Sequence, residues 1–314
     1  MVQSDDPLIG VIEAGGTWVR VGVGRTWQQV RDAPHDAIAT GQPAETLRAT
    51  CALLRRLAGS ESLAGVGVAS FGPLDLARGV IGPSTPKLAW RGVDWRAELA
   101  SRLGDVALGV DTDTDAAALA EARWGAGLGR SVVAYLTVGT GIGGGLVVDG
   151  RVVHGRGHPE MGHMRVPREP GDHFAGSCEA HGDCLEGLAS GAAIAARYAG
   201  ASADSLGPAH RVWSLEAGYL ASAVSNVLSV AAAQVVILGG GVMGASGLLG
   251  RVRATLVERV HGYLDFAGSP GELSEVPQAP GLKGRAGLVG AFALARAALS
   301  DGVDEPGRTL GAGG

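Results

Sequence analysis

The stretch CEAHGDCLEG, Cys178–Gly187, sets two thiols and an imidazole at C-x2-H-x2-C spacing, and the carboxylate of Glu186 follows at once. Upstream, HPEMGH (His158–His163) adds Glu160 and His163, three positions apart. Thiolates and imidazoles in this number suit a tetrahedral Zn2+. Cys178, His181 and Cys184 supply three donors and His163 is the best fourth, with His154, His158 and His173 as rivals. Four protein ligands close the coordination sphere, so this zinc is expected to be structural; a catalytic zinc keeps a position open for water. The competing readings are a Cys178–Cys184 disulfide and a chance cluster in a glycine-rich loop. Glu179 and Asp183, in the same stretch, read as solvated loop charges.

A second group of candidates is acidic. VALGVDTDTDAAALAE places Asp111, Asp113 and Asp115 where an apolar strand gives way to an alanine-rich helix. Asp115 is the expected N-cap. A carboxylate near a helix N-terminus stays ionised, as a base that accepts a hydroxyl proton must. The bland alternative makes all three aspartates turn and capping residues. Three glycine turns also follow apolar strands: Gly15, Gly16 and Thr17 in AGGT; Gly139, Thr140 and Gly141 in GTGIGGG; and Gly239, Gly240 and Gly241 in GGGV. Backbone N–H groups and hydroxyls without side-chain bulk in front of them suit a phosphate chain. None fits G-x4-G-K-[ST], or G-x-G-x-x-G opening a helix, and any one alone also reads as a tight turn.

The elements that must position these residues show a repeat. Leu8–Gly24 reads as an apolar strand, a Gly/Thr turn and an alternating strand with Val19, Val21 and Val23 on one face. Val132–Gly150 has the same plan. Two such hairpins, each opening a domain-sized segment, predict two related domains. Between them ETLRATCALLRRLAG reads as a helix with Cys51 buried, and LAGVGVASFGP as a buried strand ending in a Gly-Pro turn. After a loop-rich segment from about Arg151 to Glu186, helices are expected around GLASGAAIAARYAG and SLEAGYLASAVSNVLSVA. AAQVVILGGGVMG reads as a further buried strand. Strands alternating with helices predict an α/β architecture. The polar, glycine-rich tail over 301–314 is expected to be disordered.

Composition narrows the function classes. Of 314 residues 53 are glycine, against a usual share of about 7%, and with no three-residue period they mark turns rather than a fibre. A net charge of −5 carries no footprint for nucleic acid or anionic membrane. The N-terminus MVQSDDPL lacks the charged and apolar regions of a signal peptide, and no apolar run reaches the ~20 residues of a membrane helix. A cytoplasmic chain with reduced thiols is expected, which weighs against the disulfide.

In order along the chain, IEAGGTWVRVGVG, ASFGPLDL, STPKLAW, DTDTDAAALAE, LTVGTGIGGGLVVDG, HPEMGHM, CEAHGDCLEGLASG and VILGGGV resemble the ROK-family sugar kinases. The likeness runs from about residue 9 to 295 and favours the zinc-containing bacterial fructokinases; the C-x-C-G-x2-G-C loop of the glucokinase-like branch is missing. The resemblance implies an actin/hexokinase-like fold, two RNase H-like domains facing an interdomain cleft. Boundaries are expected at 8–115 and 116–300, with the C-terminal helix about 285–300 packing back on the smaller domain. It implies MgATP on the AGGT, GTG and GGG turns, the last near adenosine, and a structural Zn2+ on His163, Cys178, His181 and Cys184. Asp113 is implied as the general base for transfer of the γ-phosphoryl group to the 6-hydroxyl of fructose. Glu160, His163 and Glu186 would bind the other sugar hydroxyls, with Gly72, Pro73 and Thr112 also on the sugar side. A homodimer is implied as well.

Two positions depart from the family pattern. Asp115 stands where many relatives have Asn, adding a charge that would raise the pKa of Asp113. Thr112 stands where the glucokinases have Asn, which agrees with the fructokinase branch. Lys87 reads either as a phosphate neutraliser or as a solvated lysine. Same-fold kinases for mannose, glucose or an N-acetyl hexosamine are the near alternatives. A sugar-sensing repressor lacks room for its helix-turn-helix before the first strand, and a zinc hydrolase lacks H-E-x-x-H or an open three-ligand site.

Overall fold

The computed structural model of the protein describes residues 6–260, 262, 263 and 269–301. In chain order the elements are β1 (Ile9–Ala14), β2 (Trp18–Gly24), α1 (Trp27–Asp32), β3 (Asp36–Ala39), α2 (Pro43–Ala58), β4 (Gly65–Ser70), β5 (Leu74–Asp75), β6 (Val80–Ile81), α3 (Trp95–Leu103), β7 (Ala107–Thr112) and α4 (Asp113–Trp124). They continue with β8 (Val132–Val138), β9 (Ile142–Val148), β10 (Arg151–Val152), α5 (Leu185–Ala189), α6 (Gly191–Arg197), α7 (Val212–Ala231), β11 (Val235–Gly239), α8 (Leu248–Val260), α9 (Pro270–Ser274), β12 (Pro277–Gln278) and α10 (Ala286–Asp301). Among the described residues, 6–113 together with 288–301 form one unit, and Thr114–Gly287 form the other. Apart from Asp301, which ends α10, the tail expected to be disordered lies outside the described residues.

In the N-terminal unit five strands run in the order β3-β2-β1-β4-β7. The β1–β2 hairpin is antiparallel, and β4 and β7 add in parallel on the other side of β1. β4 is buried at every residue, as a strand covered on both faces must be. The glycines of β4 and β7 have a steric cause. A Cβ on Gly67 would stand 1.7 Å from the Ala291 carbonyl oxygen, and one on Gly109 2.2 Å from that of Leu294. The backbone of α10 therefore lies directly on β4 and β7, which larger residues would push away. α2 starts with Pro43 in its first turn and stops at Gly59, whose φ of 65° donates its N–H back to Arg55 O. Trp90 and Trp95 fill the core with ring centroids 5.6 Å apart. Their indole N–H groups donate to Gly41 O at 3.0 Å and Ser70 Oγ at 2.9 Å, so two large side chains are buried without orphaned donors.

The second unit repeats the plan, with strand order β10-β9-β8-β11-β12. β8 and β9 form the antiparallel hairpin, and β11 and β12 add in parallel. The two glycine-turned hairpins therefore occupy equivalent places in two sheets of one RNase H-like order. α7 is apolar around most of its circumference and runs through the core of this unit with Trp213 and Tyr219 buried. Each buried side chain of that size contributes about 1.5–3 kcal/mol. Among the described residues no helix is long and apolar enough to cross a membrane.

Glu121, wholly buried on α4, ties distant segments of this unit together. Its Oε2 accepts from the N–H groups of Ala126 at 2.8 Å and Gly281 at 2.9 Å, and its Oε1 from that of Leu282 at 3.0 Å. Three N–H donors satisfy this buried carboxylate, and among the described residues it forms no ion pair.

Candidate active site and metal centre

The N-terminal unit carries the AGGT turn and the end of β7. Ala14 closes β1, the Gly15 N–H donates to Trp18 O at 2.9 Å, and Trp18 opens β2. Thr40 holds the turn from behind, its hydroxyl donating to Gly15 O at 2.9 Å and its N–H to Thr17 O at 2.9 Å. Gly72 and Pro73 follow β4 across a cis peptide bond. Thr112 ends β7 with its N–H donating to Asp111 Oδ1 at 2.8 Å, and Asp113 is the first residue of α4. The helix therefore starts two residues before the expected cap. Asp115 is not an N-cap but lies inside α4, fully buried. Gly145 of β9 makes room for it, since a Cβ there would stand 2.9 Å from Asp115 Oδ1. His154 Nε2 lies 3.7 Å from Asp115 Oδ2, which takes this histidine out of the contest for the metal.

In the second unit two glycine turns meet. Gly139–Gly141 link β8 to β9, with the Gly139 N–H donating to Gly141 O at 2.9 Å. The first residues of α6 support the turn, Gly191 N–H donating to Gly139 O at 2.7 Å and Ala192 N–H to Thr140 O at 3.1 Å. Gly239 ends β11, and Gly240, at φ 91°, presses on the end of β8, where a Cβ would stand 2.4 Å from Val138 O. Only glycine fits that combination of φ and contact.

His163, Cys178, His181 and Cys184 converge, with four ligand atoms all within 4.8 Å of one another. Cys178 Sγ is 3.7 Å from His163 Nδ1 and 3.8 Å from His181 Nδ1. Cys184 Sγ is 3.6 Å from His163 Nδ1, and the two Nδ1 atoms are 3.2 Å apart. Zn–S bonds of about 2.3 Å and Zn–N bonds of about 2.0–2.1 Å at tetrahedral angles give S···N edges near 3.6 Å and N···N edges near 3.3 Å. The donor set therefore fits a tetrahedral zinc. Burial pushes the Cys184 thiol pKa up, and the Cys178 thiol adds to the rise; a thiolate there requires a cation such as the metal.

The loop that carries these ligands closes tightly. Cys178 and Gly182 exchange backbone hydrogen bonds, and a Cβ on Gly176 or Gly187 would collide with Gly182 O at 2.1 or 1.9 Å. Asp183, expected as a solvated loop charge, is partly exposed and also paired. It pairs with Arg168 at 3.0 Å and with Arg165, and the hydrogen bond from Arg168 holds its carboxyl below the usual range. Arg165 also donates to His181 O at 3.3 Å, so the arginines brace the ligand loop.

His163 turns Nδ1 to the ligand cluster and Nε2 toward Glu160, 3.9 Å from Oε2. Glu160 Oε1 lies 3.5 Å from His158 Nδ1. Glu186, two residues beyond Cys184 in α5, reaches the GTG turn. Its Oε2 accepts from the Ile142 N–H at 2.9 Å, and a Cβ on Gly141 would stand 2.5 Å from that oxygen. The motif alone gives Glu186 a sugar-side place; its hold on the turn comes from 44 positions away and has no local signal. Glu121 and the arginine brace were missed for the same reason.

Residues 9–298 match the ROK family profile. A fructokinase of Zymomonas mobilis is 36% identical over 307 residues, covering 95% of this chain and 99% of its own. A ROK hexokinase from Thermus thermophilus superposes with a TM-score of 0.74 at 27% identity, over 94% of this chain and 99% of its own. A ROK-family glucokinase from Streptomyces griseus, in complex with glucose and AMPPNP, does so with a TM-score of 0.74 at 26% identity, over 92% and 99%. With its repeated sheet plan, its glycine turns and this likeness along nearly the whole length, the chain belongs to the ROK family.

Proposed function

We propose that the protein is an ATP-dependent fructokinase that phosphorylates the 6-hydroxyl of fructose. The observation that carries the reading is near-full-length similarity to a fructokinase, joined to a Cys/His cluster whose edges suit zinc. Asp113, where β7 passes into α4, takes the proton from the attacking hydroxyl. As that oxygen bonds to the γ-phosphorus, the bond from the γ-phosphorus to the bridging oxygen breaks and ADP leaves. Little covalent work falls to the protein, so rate comes from alignment and charge neutralisation. The AGGT, GTG and GGG turns would hold MgATP through backbone N–H groups and hydroxyls, with Mg2+ arriving on the phosphates.

Zinc on His163, Cys178, His181 and Cys184 would fix the loop and, with four protein ligands, leave no position for a reacting water. Bound there through Nδ1, His163 keeps Nε2 for a sugar hydroxyl beside Glu160. Glu186 spends Oε2 on Ile142 N–H, and its Oε1 has no protein partner among the described residues, so that atom is the one for sugar. The homodimer rests on the family resemblance alone.

A coupled assay with ATP against fructose, mannose, glucose and N-acetyl hexosamines tests the reading. Fructose should give the highest kcat/KM; preference for another hexose moves the substrate, and sugar binding without any turnover indicates a sensor. Asp113→Asn should lower kcat by about 10²–10⁴ with sugar affinity retained; near-wild-type turnover refutes the base assignment.

A further inference from the structure

A cation stands at the AGGT turn, and the mechanism above gives it no role. Gly16 and Thr17 are exposed, and among the described residues neither N–H, nor the Thr17 hydroxyl, enters a protein hydrogen bond. Gly16 is not glycine for want of conformational freedom, since it is absent from the positive-φ residues. Crowding does not require it either. A Cβ there would meet a single neighbouring side chain, Lys87, whose Cε would be 3.6 Å away. The missing side chain thus leaves open space in front of the turn, and the stem of Lys87 runs along its edge. The ammonium, one bond beyond Cε, makes no ion pair or hydrogen bond among the described residues.

The segment carrying Lys87 is anchored. Its N–H donates to the hydroxyl of fully buried Thr85 at 3.4 Å, and its carbonyl accepts from the Trp90 N–H at 2.8 Å. Trp90 is 1% exposed and is itself fixed to Gly41 O. An unpaired ammonium held beside two unused backbone N–H groups and a free hydroxyl is a receptor for a polyanion. All of these groups belong to the N-terminal unit.

We propose that Lys87 is a catalytic residue that receives the terminal phosphoryl group of the nucleoside triphosphate together with Gly16 N–H, Thr17 N–H and the Thr17 hydroxyl. The inference rests on the kinase reading above. During transfer, negative charge spreads over the non-bridging oxygens of the moving group and onto the departing bridging oxygen of ADP. Lys87 neutralises that charge and keeps its own protons throughout; the proton of the sugar hydroxyl goes to Asp113.

The test compares wild type, Lys87→Met and Lys87→Arg. Steady-state kinetics are read beside calorimetric affinities for AMP, ADP and a non-hydrolysable ATP analogue. Lys87→Met should lose about 10²–10³ in kcat, the loss from removing one preorganised donor, with KM for the sugar within about twofold. The analogue should bind at least tenfold more weakly, ADP less affected and AMP unchanged, and Lys87→Arg should recover part of both losses. An unchanged melting temperature for Lys87→Met excludes a folding defect. Wild-type kcat and an unchanged nucleotide series in Lys87→Met overturn the proposal, as does equal weakening of all three nucleotides. If wild type prefers another hexose, the same comparison runs with that sugar and the Lys87 result stands apart. A wild-type protein that binds no nucleotide overturns both readings.

Discussion

Replacing Gly141 by alanine isolates the bond between α5 and the turn proposed to hold phosphate. The new Cβ would stand 2.5 Å from Glu186 Oε2, against about 3.5 Å for non-bonded heavy atoms at rest. Glu186 meets it with the far end of a flexible side chain, so the carboxylate swings away and the backbone stays. What it gives up is the 2.9 Å hydrogen bond from the Ile142 N–H. A hydrogen bond to a charged group contributes about 1.5–3 kcal/mol, and about 1.4 kcal/mol corresponds to tenfold. kcat/KM for ATP should therefore fall by about 10- to 100-fold, read from initial rates with fructose saturating. The double-mutant cycle is the sharper measurement. With Glu186→Ala already in place the displaced atom is gone, so adding Gly141→Ala should change little. Equal losses in both backgrounds, or wild-type kinetics for the single variant, refute the reasoning.

Metal analysis of the purified protein should find one zinc per chain. Cys184→Ser should lose it and melt at lower temperature; zinc-free, fully active wild type contradicts the four-ligand site. Glu216 gives a pH dependence of stability. Burial raises its carboxyl well above 4.5, the nearby Asp172 adds to the rise, and neither oxygen has a hydrogen-bond partner among the described residues. Above that pH the unfolded chain releases the proton while the folded chain keeps it, so stability falls by up to about 1.4 kcal/mol per pH unit until the folded group titrates. Glu216→Gln should therefore melt higher than wild type near neutral pH, and the gap should close toward pH 4.5. A gap that is constant with pH rules out this account.

The parts that were legible in the sequence are those whose signal is local. The hairpins at Leu8–Gly24 and Val132–Gly150 announce themselves through alternation around a glycine turn, and equivalent hairpins stand in both sheets. The Cys/His spacing named the donor types, but choosing among four histidines required the fold to carry His163 to the loop and His154 to Asp115. The cap assignment failed at Asp115 because a buried aspartate in the first turn of a helix reads like a capping one. What separates them is Gly145, on another strand, which leaves room for the carboxylate. Glu121 and Glu186 were opaque for a related reason. Glu121 accepts from Gly281 and Leu282 N–H and Glu186 from Ile142 N–H, all far along the chain, and no pattern in their neighbours records that.

Helix α10 lies against β4 and β7 through Gly67 and Gly109, yet all of Thr114–Gly287 is synthesised between those strands and the helix. At about 5–20 residues per second the interval is roughly 10–35 s. During it the strands of the N-terminal unit have left the ribosome without the helix that covers β4 and β7, while β8 to β12 emerge with every strand of their own sheet. The first strands made are therefore completed last. A nascent chain stalled or cut short before Leu288 presents an uncovered sheet, the kind of surface that pairs with other chains or attracts proteases. Cover for β4 and β7 in the N-terminal unit therefore waits on α10.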